Sequence, residues 1–257
     1  MGSLLFIAAA IAVMAGITYA ERKLHPGRTD WWRNLQSWVI DLGFGIALLG
    51  FLPDWRGHSL IDGHALPFLL AFPLFLLVRD FTEYLYHYAQ HRIPVLWAMH
   101  SLHHSDPEMT ALTTNRHFWG DQFIKALTIW PATTMIMSQT STMIAAYAVI
   151  SLYNYAIHAN LKIDFGRWSW VLNCPAYHRR HHSRLPEHYD TNFAALFPIF
   201  DVIFGTYRRP DGWPPCGLDE EPRSLGGLLF WPARKVLGRL RAAAPIRPAA
   251  PAIASEA

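Results

Sequence analysis

The sequence predicts an all-α fold: a multi-pass transmembrane helical bundle with a cytosolic helical cap that carries a histidine-rich dinuclear metal site. Three observations lead there. The 257 residues are 52% hydrophobic and 16% charged, with 11 Trp and a mean hydropathy of +0.11, apolar for a soluble domain. Charge is unevenly spread, which leaves apolar stretches over 1–20, 35–52, 64–78, 122–137 and 142–158. Beside these stretches lie four histidine clusters: HYAQH (His87, His91), HSLHH (His100, His103, His104), NYAIH (His158) and HRRHH (His178, His181, His182).

The first stretch has no charged residue before Glu21, and Arg22 and Lys23 follow it instead of preceding it. That order is wrong for a secretory leader, so the segment reads as a retained anchor with its N-terminus on the far side. Five crossings or membrane-embedded helices are expected. Arg22, Lys23, Arg28 and Arg33 crowd the first connection, the tip near 138–141 is uncharged, and arginines return after residue 160. By the excess of positive charge on cytosolic loops, segments 21–34, 79–120 and 160 onward are cytosolic, which puts every histidine cluster on one side. A helix from His64 to His91 would run ~42 Å at 1.5 Å per residue against a hydrocarbon core of ~30 Å. Its end, with His87 and His91, should project into the cytosol, approximately so because Pro67 and Pro73 can kink it.

On a helix, residues i, i+3 and i+4 share a face, so HxxxH aims two imidazoles at one point and HxxHH aims three. Neutral imidazole suits iron, zinc, copper and nickel, and the lack of sulfur partners argues against a structural zinc knot. Nine clustered histidines exceed the needs of one ion; at roughly three to five nitrogens per metal they suit two ions with open positions. Asp80 and Glu83 lie on the same helical stripe as His87 and His91. A carboxylate there either fixes a histidine tautomer or belongs to a solvated acidic turn; for Asp80 the turn is the preferred reading. Tyr84, Tyr86, Trp97 and Met99 line a substrate channel or anchor at the membrane interface, the commoner role of aromatics there.

The stretch from Asp80 to Asp106, the NYAIHAN segment from Asn154 to Asn160, and the stretch from His178 to Pro210 with its FGTY ending together resemble the fatty acid hydroxylase/sterol desaturase superfamily in motif order. The resemblance covers about residues 65–210. It implies a membrane-bound non-haem enzyme with two iron ions that uses dioxygen to hydroxylate or desaturate a lipid. The metal ligands it implies are His87, His91, His100, His103, His104, His158, His178, His181 and His182, with Glu83 and Asp121 as supporting residues. Zinc could replace iron in the isolated protein. Tyr88 stands where the family often has Arg, and Asn154 where many members have a further histidine. TTNRHFWGD resembles a family stretch with a histidine and an acid, in a register that leaves His117 and Asp121 as lesser candidates. His188 reads as a supporting or surface histidine, and His25, His58 and His64 are set aside.

This divides the chain into membrane anchor helices (1–64), a catalytic domain (65–210) and a C-terminal segment (211–257). In the last, 226–241 suits a short interfacial helix or a plain soluble amphipathic one, and the Ala/Pro-rich tail from Ala242 should be disordered. No dinucleotide, phosphate-loop or haem-attachment motif occurs, and Cys174 and Cys216 are too few for an iron–sulfur cluster. Cys174 reads as a buried or free thiol. A lipid substrate, dioxygen and a separate electron-donor protein are the expected partners; the net charge of +3 is explained by loop arginines, so no nucleic acid is expected. Two other function classes stay open: a zinc-dependent membrane hydrolase, whose acid would be Glu83, Glu108 or Asp121, and a non-catalytic metal carrier or sensor. A transporter should place ionisable residues inside its spans, whereas these histidines gather at the ends. The lipid itself, and hydroxylation against desaturation, lie beyond the sequence, although one abstraction with rebound favours hydroxylation.

Overall fold

The computed structural model describes residues 2–24, 31–48, 59–138 and 141–243, and among them there is no strand. The helices are α1 (Gly2–Leu24), α2 (Trp31–Leu48), α3 (Phe68–Arg92), α4 (Pro94–His104), α5 (Asp121–Leu127), α6 (Ile129–Ile136), α7 (Ser141–His158), α8 (Pro175–His181), α9 (Ile199–Ile203), α10 (Leu225–Leu229) and α11 (Trp231–Ala243). α3 is central and packs on α4, α6 and α7; α1 lies on α7, α2 beside α5, and α11 on α4.

Proline sets three boundaries that position the site. The residue before a proline is driven out of the α region, so Ile93 is extended (φ −97°, ψ 118°) and α3 stops at Arg92. Pro94 then starts α4, where its missing N–H costs nothing, and the resulting elbow brings HYAQH against HSLHH. Pro175 starts α8 in the same way, after extended Cys174. α3 begins at Phe68, behind Pro67, four residues later than the expected start at His64; Pro73 lies inside it.

The apolar stretch 122–137 is not one helix. A proline ring inside a helix collides with the carbonyl four residues back; for Pro131 that is Leu127, and the chain breaks at Thr128 (φ −122°, ψ −70°). The restart places Pro131 in the first turn of α6, and neither piece exceeds eight residues. Among the described residues no helix is long and apolar enough to cross a membrane.

The main core joins Ala71, Phe75, Leu76 and Val78 of α3 to Met137, to Ala146 and Ile150 of α7, and to Leu196. Each of these side chains larger than alanine contributes ~1.5–3 kcal/mol by burial. Asp80 sits at the edge of this core, wholly buried, and accepts the backbone N–H of Leu196 (2.9 Å) and Phe197 (2.7 Å). It is therefore not part of a solvated acidic turn. A carboxylate taken from water is stabilised only by such donors, and these tie the segment ahead of α9 to α3.

The C-terminal segment packs on α4. Leu228 and Trp231 pack on Leu102 of α4, and Trp231 Nε1 donates to Ser101 Oγ (2.9 Å), while Phe230 and Leu237 stay exposed. α11 continues through Ala242 and Ala243; the tail expected to be disordered otherwise lies outside the described residues, as do His25 and His58.

Candidate metal centre

Nine histidines converge from α3, α4, α7 and α8 with its C-cap, His182. They form two sets whose ligand atoms lie within 4.8 Å of one another: His87, His91, His100, His104 and His181 in one, His103, His158, His178 and His182 in the other. The sets adjoin, with the rings of His104 and His182 stacked at 4.3 Å. The expectation that HxxHH aims three imidazoles at one point is overturned. In each triplet the i and i+4 residues turn to one set and the i+3 residue to the other: His100 and His104 against His103, His178 and His182 against His181. Successive positions are 100° apart on a helix, so i+3 and i+4 lie on opposite sides of the direction of residue i. With sites on both sides, one triplet serves two of them.

The nitrogen geometry suits metal ions. Nδ1 of His87 donates to Phe193 O (2.7 Å), of His158 to Asn154 O (2.8 Å) and of His181 to Thr191 O (2.8 Å). A carbonyl only accepts, so Nε2 of each ring is left with a bare lone pair. Nε2 of His158 nonetheless stands 3.1 Å from His103 Nε2 and 2.9 Å from His178 Nε2, and His100 Nε2 lies 3.0 and 3.1 Å from Nε2 of His87 and His104. Two nitrogens bound to one ion at ~2.1 Å and at right angles would be ~3.0 Å apart. Nε2 of His91, His181 and His182 is buried without any partner, which is costly unless an ion fills the role. Burial, followed by the repulsion of neighbouring imidazoles, pushes His100, His103, His104, His178, His181 and His182 well below the usual histidine range. All are neutral at pH 7, the state in which an imidazole binds metal.

One loop orients much of the five-histidine set. Phe193 O and Thr191 O hold His87 and His181, and Asp190 lies 3.5 Å from His91 Nδ1. Asp190 and Asn192 take left-handed backbone conformations (φ 57° and 62°), which Asp and Asn tolerate better than most residues. Asn192 pins the loop through Arg208 N and O (2.7 and 2.9 Å). Asp201 of α9 accepts from Phe193 N, Ala194 N, Tyr177 Oη and Thr206 Oγ1, all at 2.6–2.8 Å. Gly205 closes α9 with φ 76°, a conformation open to glycine at little cost. None of these supports has a spacing signature. The DTNF run carried only the turn-forming character of Asp and Asn.

The supporting candidates are placed differently. Glu83 bonds no histidine; it pairs with Arg79 (2.6 Å) and Lys125 (3.5 Å). Asp121 accepts from Tyr86 Oη (2.6 Å) and Gln90 Nε2 (2.9 Å) and lies 4.0 Å from His117 Nδ1. His117 stacks on His103 at 4.7 Å outside both sets. His188 is buried and bonds Ser183 Oγ (2.9 Å), a supporting role. Tyr84, Tyr86 and Met99 are buried, so they are not interfacial anchors; Tyr84 Oη bonds Thr206 Oγ1 (2.9 Å). Trp97 lies against His91 and His104. Cys174 and Cys216 are buried free thiols.

A family model described as fatty acid hydroxylase matches residues 72–206. With over half of the chain matched, the protein belongs to this family. Its relatives include an alkylglycerol monooxygenase of Xenopus tropicalis, 28% identical over 72% of this chain and 41% of its own length. A Delta(7)-sterol 5(6)-desaturase of Gibberella zeae is 30% identical over 63% of this chain and 46% of its own, and an ornithine lipid hydroxylase of Rhizobium tropici 25% identical over 62% and 48%. The chain thus spans less than half the length of each of these relatives. No solved structure matches it.

Proposed function

We propose that the protein is an O2-dependent, membrane-associated lipid oxidoreductase that hydroxylates a C–H bond at two histidine-held irons. Nine neutral imidazoles in two adjoining sets, with lone pairs left over, carry this reading. His87, His91, His100, His104 and His181 would hold one iron, and His103, His158, His178 and His182 the other. Bound iron supplies the reduction of dioxygen and the abstraction of hydrogen. The chain orients the rings through Phe193, Thr191, Asp190 and Asn154, and its burial of the sets keeps bulk water away. Dioxygen, the lipid, electrons and protons are consumed, and an alcohol and water leave. A separate donor protein is inferred as the source of the electrons.

Relatives named as monooxygenase, lipid hydroxylase and sterol desaturase support a lipid substrate. Of the three acids open to the hydrolase alternative, Glu83 and Asp121 are engaged elsewhere. Membrane association, with the histidines on the cytosolic side, is inferred from the apolar helices and the placement of arginines.

Metal analysis with Mössbauer spectroscopy on iron-supplied protein in mild detergent tests the reading. About two coupled irons per chain are expected, with about one lost in His104→Ala or in His103→Ala. Active protein holding zinc alone would overturn it.

A further inference from the structure

The outward side of α3 is a single apolar stripe. Leu70, Pro73, Leu77, Phe81, Leu85 and Tyr88 recur at helical spacing and face away from the protein, Phe81 being the one partly covered. From Leu70 to Tyr88 the stripe runs ~27 Å at 1.5 Å per residue, close to the ~30 Å of a hydrocarbon core. Arg79, Asp80 and Glu83 interrupt the apolar segment along the sequence, but they lie on the inner side: Arg79 and Asp80 are buried and Glu83 is paired with Arg79 and Lys125.

α9 extends the same surface. Phe200 and Phe204 pack on Phe81, while Val202, Ile203 and Phe204 remain exposed, Ile203 by 65%. Next to this apolar tip come Arg208 and Arg209, both exposed, and the stripe ends at exposed Arg92, whose guanidinium lies over the Tyr88 ring. An apolar band closed by arginines complements acyl chains beneath anionic headgroups.

We propose that the α3 stripe and the α9 tip form one lipid-facing surface that seats the histidine-bearing layer on the bilayer, instead of letting the end of α3 project freely into the cytosol. The occupant is the acyl region of an anionic membrane. This places lipid within two side chains of the five-histidine set: Tyr88 contacts Phe193, and Phe193 contacts His87 and His91. The inference rests on the membrane reading above.

Cys174 and Cys216 are buried, so a thiol added at an exposed position labels selectively. Leu69→Cys, Leu85→Cys, Ile203→Cys and Asp219→Cys in the full chain, each carrying bimane, are reconstituted into phosphatidylcholine/phosphatidylglycerol vesicles. Quenching by a lipid bearing a nitroxide near the headgroup end of its acyl chain is compared with quenching by aqueous iodide. Positions 85 and 203 should be quenched by the lipid and protected from iodide, as position 69 should be, with position 219 the reverse. If 69 behaves as a lipid contact while 85 and 203 are quenched by iodide, the proposal fails and the membrane reading stands. If all three are quenched only by iodide, both fail. Protection of 85 and 203 from both quenchers would mean that protein covers this face, and also overturns the proposal.

Discussion

The two histidine sets are alike in burial and ligand chemistry and differ in how they are held. In the five-histidine set, His87, His91 and His181 are oriented from behind by Phe193 O, Asp190 and Thr191 O. In the four-histidine set His158 has such a partner, the Asn154 carbonyl, while Nδ1 of His103 and His178, like that of His100 in the five-histidine set, is buried unpartnered. A ring held at its far nitrogen loses less freedom on binding metal and has its tautomer set in advance. The comparison teaches that ligand spacing on a helix creates both sites equally, while a single loop, 190–193, makes one of them the stiffer.

The largest expected effect comes from removing a ligand. His100→Ala should lose the metal of the five-histidine set and His182→Ala that of the other, each lowering activity by more than ~100-fold, since even changes behind the ligands cost 10–100-fold. Metal analysis of each variant checks this; loss of both metals from either one would make the sets a single unit.

Acid titration follows in size. The buried imidazoles have folded values well below 6.5, so below pH 6.5 the unfolded chain takes up protons that the folded chain refuses, and stability falls with pH. Each imidazole that stays neutral costs ~1.4 kcal/mol per pH unit there, moderated by its partners. Four strongly shifted rings lie in each set: His87, His100, His104 and His181, and His103, His158, His178 and His182. Metal-free protein should therefore lose thermal stability steeply between about pH 6.5 and 5, to a similar extent in His100→Phe and His182→Phe. A flat profile would show that the metal-free sets open to water.

Asp201→Asn targets the difference itself. The amide retains one acceptor for the four donors that Asp201 serves, so loop 190–194 should loosen. Metal in the five-histidine set should bind ~10–100-fold more weakly, with the other set little changed. Equal weakening of both, measured by competition with a chelator, would remove loop 190–193 as the source of the asymmetry.

How legible this arrangement was depends on its periodicity. The helical class and eight of the nine histidines follow from spacings of three and four residues, which the helix converts directly into position, while His158 stands alone in its segment and was marked only by the resemblance of NYAIHAN to a family motif. The split of each triplet between two sets was not legible, because spacing gives the angle between side chains and not the number of sites they face. The supports were hidden for a different reason: Phe193 and Thr191 act through backbone carbonyls, which any residue supplies. Asp80 looked like part of a polar turn until Leu196 and Phe197, more than a hundred residues on, were found to donate to it. The break at Thr128, by contrast, was written in Pro131 and was overridden by the hydropathy of the stretch.

The smallest expected effect lies beside the four-histidine set. Tyr86 Oη donates to Asp121 Oδ1 at 2.6 Å, and Asp121 also takes Gln90 and Lys125 while standing 4.0 Å from His117. Tyr86→Phe removes one donor and leaves the others in place, which should cost ~1.5–3 kcal/mol of stability, as for a hydrogen bond to a charged group. His117 touches the set only by stacking on His103, so metal content should not change and thermal denaturation alone should register the substitution. If Tyr86→Phe also sheds metal from the four-histidine set, that set is held from behind after all, through Asp121 and His117, and the asymmetry between the two sites is smaller than their direct hydrogen bonds imply.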